Sequence, residues 1–254
     1  MEYLDLPIRN KKPRDKGFNI IIDKGYPLQY FKDVILSYSD NIDFVKFGWG
    51  TGLINKDILA SKIDILLESH IDYFFGGTLF EKFLYQGKIN EYKKLLKKFK
   101  CYYVEISNGT LNIPNKTKAE YIKDFAKDFK VLSEVGLKDA EKSEKMHPKK
   151  WIECIKEDLA FGAYKVIIEA RESGTSGICR SNGDLRIGLL EEILESDIDI
   201  EKIIFEAPNK KLQVYFINKI GSNCNLANIA FGDIVGVETL RLGLRSDTFF
   251  NKED

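Results

Sequence analysis

The stretch "KVIIEAR", Lys165 to Arg171, runs through three consecutive β-branched aliphatic residues and then ends in a glutamate and an arginine. A nearly continuous apolar run of strand length belongs in a sheet covered on both faces, the environment of parallel strands. The charged end is the informative part. Glu169 and Arg171 stand two residues apart, so an extended chain carries both on one side and Ala170 on the other. Glu172, facing away from that pair, reads as a structural residue.

Similar runs occur along the whole chain: "FNIIIDKG" (18–25), "DFVKFGWG" (43–50), "IDYFFGG" (71–77), "YYVEISNG" (102–109), "KVLSEVG" (130–136), "KIIFEAP" (202–208) and "NCNLANI" (223–229). Most stop at Gly or Pro, as strands leading into turns do. Between them lie helical spacings such as Leu28, Phe31, Val34, Ile35 and Tyr38, or Tyr121, Ile122, Phe125, Ala126 and Phe129. Eight strand and helix units with right-handed crossovers in 254 residues predict an α/β fold, a single (β/α)8 TIM barrel spanning 1–254. An open dinucleotide fold is disfavoured, because no G-x-G-x-x-G follows the first run and "FGWGTG" (47–52) has the wrong spacing. The longest interruption, "GLKDAEKSEKMHPKK" (136–150), reads as a solvated loop, or as a lid of the kind long βα loops supply.

Basic and acidic residues balance at 39 each, so the whole-chain charge gives no reason to expect nucleic acid or an anionic membrane as partner. The four cysteines are scattered without a C-x-x-C pair, which suits a reducing cytoplasm. No apolar run approaches the roughly 18 residues of a membrane span, and the N-terminus lacks a leader-like core.

Polar groups interrupt the runs near their C-terminal ends: Asp23 and Lys24, Lys46, Glu105 and Ser107, Glu134, Glu169 and Arg171, Glu206, Asn225 and Asn228. In a parallel barrel those ends share the face that carries chemistry. Any one acid there reads most simply as a surface or ion-paired residue. Seven of eight runs bringing such groups to one rim is harder to dismiss, because carboxylates gathered without a cation would repel one another. Oxygen donors with only two histidines in the chain, His70 and His147, suit a hard cation such as magnesium rather than zinc. Lys24, Lys46 and Arg171 point to an anionic substrate, and "APNKK" (207–211), "NLANIAFGD" (225–233) and the hydroxyl-rich "ESGTSG" (172–177) lie where barrels often hold phosphate. Phe47 and Trp49 are expected to pack the barrel, with shielding of the site as the other role for Trp49.

The motifs "DKG", "DFVKFGWGT", "GGTLFE", "VEIS", "EVG", "VIIEARESG", "IFEAP", "NLANI" and "ETLRLGLRSDTF", in that order, resemble the phosphosulfolactate synthase (ComA-like) family across nearly the whole chain. The variant "EARESGTSGICRSNGDLR" resembles the version in spore-forming bacteria. That resemblance implies a (β/α)8 barrel lyase that joins sulfite to phosphoenolpyruvate with magnesium, giving a phosphosulfolactate of R configuration, and a homo-oligomer is expected. It also implies a proton-donating lysine just after "EVG". Here Leu137 follows Gly136, so Lys138 is the expected acid, with Lys46 as alternative and Glu169 as a third catalytic candidate. Glu105, Glu134, Glu169 and Glu206 are the expected metal or metal-water ligands, with Asp23 in addition. Arg171 and Lys24 are the expected carboxylate or sulfite clamps, and Asn225, Asn228 and the loop containing Ser173 and Gly174 the phosphate contacts. Arg241 and Arg245 are read equally as packing, subunit or binding residues. The competing readings are an aldolase-type lyase with a Schiff-base lysine (Lys46, Lys24 or Lys165) and a noncatalytic barrel.

Overall fold

The computed structural model describes residues 3–54, 56–171 and 174–251. The eight strands are β1 (Asn19–Asp23), β2 (Phe44–Phe47), β3 (Asp72–Phe75), β4 (Tyr103–Ile106), β5 (Lys130–Val135), β6 (Ala163–Ile168), β7 (Ile203–Glu206) and β8 (Leu226–Ile229). The helices among the described residues are α1 (Leu28–Tyr38), α2 (Thr51–Ile54), α3 (Lys56–Glu68), α4 (Gly77–Tyr85), α5 (Ile89–Lys98), α6 (Asn115–Phe125), α7 (Ala140–Lys145), α8 (Pro148–Ala160), α9 (Ile187–Glu195), α10 (Lys210–Ile220) and α11 (Ile234–Arg241). Seven of the eight apolar runs contain a whole strand, and β6 begins two residues ahead of its run, at Ala163. The sheet order is β3-β2-β1-β8-β7-β6-β5-β4, with its strands parallel, so β1 closes onto β8. At the remaining seam, Gly77 N–H donates to Glu105 Oε1 at 2.6 Å and Ser107 Oγ to Glu81 Oε1 at 2.6 Å, tying α4 to the top of β4. The result is a nearly closed (β/α)8 barrel.

Two-residue alternation sorts every strand into an inner and an outer set. Ile20, Phe44, Phe74, Tyr103, Leu132, Ile167, Ile204 and Ala227 fill the barrel, one from each strand. Their neighbours Ile21, Val45, Phe75, Val104, Val131, Val166, Phe205 and Leu226 face the helices. The helices answer with apolar stripes, Phe31, Val34 and Ile35 on α1 and Ala119, Ile122 and Phe125 on α6. Both faces of the sheet are therefore buried, which is why the runs are apolar almost throughout.

The N-terminal ends of the strands are closed by the chain preceding β1. Arg14 pairs with Asp43 at 2.8 Å, Arg9 with Glu238 at 3.0 Å, and Tyr164 Oη donates to Asp15 at 2.9 Å. Arg241 is a packing residue: buried, it donates to Asn19 Oδ1 and to the carbonyls of Phe18, Ser222 and Cys224, latching α11 to β1 and β8. No helix among the described residues is long and apolar enough to cross a membrane.

Candidate active site

One step above the inner apolar layer, at the C-terminal ends of the strands, the inward positions change character. They are Ile22, Lys46, Gly76, Glu105, Glu134, Glu169, Glu206 and Asn228, and all eight line one cavity of about 300 Å³. Lys138, Arg171, Thr110 and Trp49 from the segments after the strands, and Thr78 from the first turn of α4, add to its walls. The parity that buries Leu132 thus also aims Glu134 inward, and the same holds for Phe44 with Lys46, Tyr103 with Glu105 and Ile204 with Glu206. Asn228 breaks the alternation. Its φ of 57° rotates the chain so that it joins the cavity although Ala227 already faces inward.

Lys46 stands at the centre. Its Nζ lies 2.9 Å from Glu105 Oε2, 3.3 Å from Glu206 Oε1 and 4.0 Å from Glu134 Oε2. Burial opposes its charge, but attraction from Glu105, Glu206 and Glu134 overrides that and holds the ammonium well above the usual lysine range. Lys138 Nζ, nearer the rim, lies 3.6 Å from Glu134 Oε1 and 4.0 Å from Glu169 Oε2, and donates to Thr78 Oγ1 at 2.9 Å. Burial opposes its charge too, and Glu134 and Glu169 raise it above the ordinary value. The carboxyls divide. Burial pushes Glu105 up to about 7 against the pull of Lys46, and burial with Glu206 and Glu134 nearby pushes Glu169 well above the carboxylate range. Glu134 is brought down to about 2, since Lys138 and Lys46 outweigh its burial. Burial and neighbouring carboxylates thus push Glu105 and Glu169 one way while the two ammonium groups pull Glu134 the other.

Several of these groups are only half satisfied. Glu105 Oε2, Glu134 Oε1, Glu169 Oε2 and Asn228 Oδ1 are buried without a hydrogen bond from the protein, Glu105 Oε2 having only its ion pair with Lys46. Main-chain donors fix the other oxygen of two of them, Glu105 by Gly77 N–H at 2.6 Å and Glu169 by Arg171 N–H at 2.5 Å, and neighbouring Glu206 accepts from Ala170 N–H at 3.0 Å. Buried oxygens that face a cavity and lack a hydrogen bond fit a hard cation. Yet among the described residues no three His, Cys, Asp or Glu side chains gather closely enough to hold an ion between them, because the carboxylates fan out around the Lys46 ammonium. The donor set thus fits an ion held by one or two carboxylates and otherwise by water and substrate oxygens.

Other expected residues lie elsewhere. Asp23 shares the parity of Ile21 and faces the helices, where it accepts from Lys62 Nζ at 2.6 Å and from the N–H groups of Gly25 and Tyr26 at 2.9 Å. Lys24 stands 5.4 Å from the Trp49 ring and lines a separate cavity beside α3. Asn225 precedes β8 rather than ending it. At the opposite end of the barrel its side chain accepts from Phe18 N–H and donates to the carbonyls of Glu201 and Ile203. Lys165 is also at that end, donating to Glu201 O. Gly174 N–H closes a turn onto Arg171 O, and a Cβ on Gly174 would sit 3.2 Å from Asn209 Nδ2, outside the central cavity. Ser173 and Glu172 lie outside the described residues. Arg171 reaches the cavity not by continuing β6, which ends at Ile168, but through a turn with φ of 47°. Phe47 is buried as expected, whereas Trp49 is 53% exposed at the rim with φ of 50° between Gly48 and Gly50.

Sequence reasoning missed Thr78, Thr110 and the buried Glu81. Glu81 Oε2 accepts from Thr110 N–H at 2.8 Å and from Leu111 N–H, and so shapes the loop after β4. "GGTLFE" and "VEIS" hold the signal, but only the fold shows that Glu81 and Ser107 meet.

Residues 7–247 match the family model described as (2R)-phospho-3-sulfolactate synthase (ComA). Phosphosulfolactate synthase of Bacillus subtilis is 60% identical over 247 residues, covering 97% of this chain and 98% of the relative. The enzyme of the same name from Methanocaldococcus jannaschii is 43% identical over 238 residues, covering 92% and 94%. Among solved structures, thiamine phosphate pyrophosphorylase from Pyrococcus furiosus superposes with a TM-score of 0.53 at 12% identity, covering 87% of this chain and 92% of that one. That likeness is one of fold alone. A charged layer at the catalytic end of a barrel and a family match over almost the full length agree: the chain is an enzyme of the carbon–sulfur lyase type and belongs to the (2R)-phospho-3-sulfolactate synthase family.

Proposed function

We propose that the chain adds sulfite to phosphoenolpyruvate, with magnesium, to give (2R)-phospho-3-sulfolactate. The observation that carries this reading is the strand-end layer itself, with Lys46, Lys138 and Arg171 facing one cavity among Glu105, Glu134, Glu169 and Glu206. In the reaction, sulfite sulfur supplies the electron pair for a bond to the methylene carbon, the double bond's electrons move into the carboxylate, and the central carbon then takes a proton. No protein nucleophile is needed. Magnesium would supply positive charge for the carboxylate oxygens of the aci-carboxylate, with Glu105, Glu134 and Glu169 the side chains best able to hold it or its waters.

The chain's own cations do the rest. Arg171 offers a planar fork to a carboxylate or phosphate at the rim. Lys46, kept charged by its carboxylate neighbours, is a fixed positive centre under the developing negative charge and needs no reorganisation. Lys138, charged and reaching in from one side, delivers the proton to the central carbon. The carbon of an aci-carboxylate is far more basic than an amine, so a raised ammonium pKa does not prevent the transfer. Delivery from one face sets one configuration, and the 27% exposure of the Lys138 side chain lets it regain a proton from water.

A Schiff-base mechanism is disfavoured because three carboxylates surround Lys46 and favour its ammonium form, Lys24 lines a separate cavity and Lys165 is at the opposite end. The test is incubation of the purified protein with phosphoenolpyruvate, sulfite and magnesium, followed by mass spectrometry. The product mass should appear and its formation should cease with EDTA; no product with metal in excess would refute the reading.

A further inference from the structure

The loop joining β6 to α9 looks from its sequence like an anion cradle, yet several of its polar groups among the described residues are committed to the neighbouring segment after β5. Ser176, fully buried, donates from Oγ to Leu137 O at 2.7 Å. Arg171 Nη1 donates to Lys138 O at 3.2 Å. Arg186, also buried, donates to the carbonyls of Ser143 and Met146, and Ser143 Oγ donates to Gly177 O. The Lys138 N–H is taken by Gly109 O at 3.3 Å on the far side. The peptide units on both sides of the Lys138 Cα are thus pinned before the side chain begins its reach to Thr78 and Glu134.

We propose that Ser176 is a positioning residue for Lys138: its hydroxyl, held on the Leu137 carbonyl, fixes the main chain from which the Lys138 ammonium enters the site. The proposal rests on the reading of Lys138 as proton donor. A buried hydroxyl spent on a carbonyl is unavailable to phosphate. Leu137 stands between Gly136 and the lysine, and its carbonyl is the one that Ser176 holds.

Two variants test this. Ser176→Ala removes the donor, and Ser176→Cys keeps a weaker one on a somewhat larger atom. In protein shown by circular dichroism to be folded, kcat in the alanine variant should fall between about 10- and 100-fold with both KM values within about twofold, the cysteine variant lying between. In the ligand-free protein, acetylation of Lys138 by acetic anhydride, read by peptide mass spectrometry against Lys46 in the same molecule, should change in rate while Lys46 does not. Unchanged Lys138 labelling overturns the proposal, whatever happens to turnover, and so does unchanged kcat. Should the alanine variant fail to fold, the cysteine variant decides by the same two readouts. Full turnover in Lys138→Met would instead sink the proton-donor reading, and the labelling result would still report whether Ser176 holds Lys138.

Discussion

Lys46 and Glu105 form a buried ion pair of 2.9 Å across the centre of the site, Lys46 rising from β2 and Glu105 from β4, with Gly76 from the intervening unit making room between them. A Cβ on Gly76 would lie 3.2 Å from Lys46 Cε. Removing one partner leaves the other charge uncompensated. Lys46→Met should therefore destabilise the fold by about 3–5 kcal/mol in urea unfolding. Turnover should fall by at least about 100-fold. Lys46→Met/Glu105→Gln should regain part of the stability and none of the activity.

Glu105 makes a pH prediction for the metal-free protein. Burial raises its folded pKa from 4.5 to about 7, so between those values the folded state keeps a proton that the unfolded state has released. Stability must fall as pH rises through that window. Glu105→Gln cannot titrate and keeps an oxygen for Gly77 N–H. Urea midpoints measured from pH 4.5 to 7 should decline less steeply in the variant; parallel curves would remove Glu105 as the source.

Lys118 and Asp158 pair at 2.7 Å between the barrel and α6 and α8, both side chains fully buried. Lys118 also donates to Glu134 O at 2.8 Å, and Ser133 Oγ donates to Asp158. Asp158→Ala should cost about 3–5 kcal/mol, while Lys118→Met/Asp158→Leu should recover most of it. Equilibrium unfolding of the three variants checks the difference.

Gly177 has φ of 69°, and a Cβ there would fall 1.9 Å from Glu169 O. Gly177→Ala must move the main chain of Glu169 or its own loop, so the folded variant should lose turnover by at least about 10-fold. Near-normal kinetics would show that Glu169 tolerates displacement.

The strands were legible because they need only local signals: a short apolar run and a Gly or Pro to end it. Glu105, Glu134 and Glu206 were legible for the same reason, since two-residue parity carries them inward above Tyr103, Leu132 and Ile204. Parity also exposes the error at Asp23, which falls with Ile21 on the helix side. Asn225 was misplaced because the apolar run begins before the strand does, a boundary that no local pattern marks. Asn228 and Arg171 enter the cavity through positive φ, which residue type alone does not announce. Glu81 and Ser176 act through hydrogen bonds to residues 26 and more positions away, and only the folded chain brings those partners together.

The most direct measurement is the reaction of phosphoenolpyruvate with sulfite and magnesium run in deuterium oxide, with the product analysed by mass spectrometry and NMR. The account predicts phosphosulfolactate carrying one deuterium, on the central carbon and in the R configuration, and loss of that product in Lys138→Met. Absence of product, deuterium on the methylene carbon, or a borohydride-trapped adduct on Lys46 would contradict it.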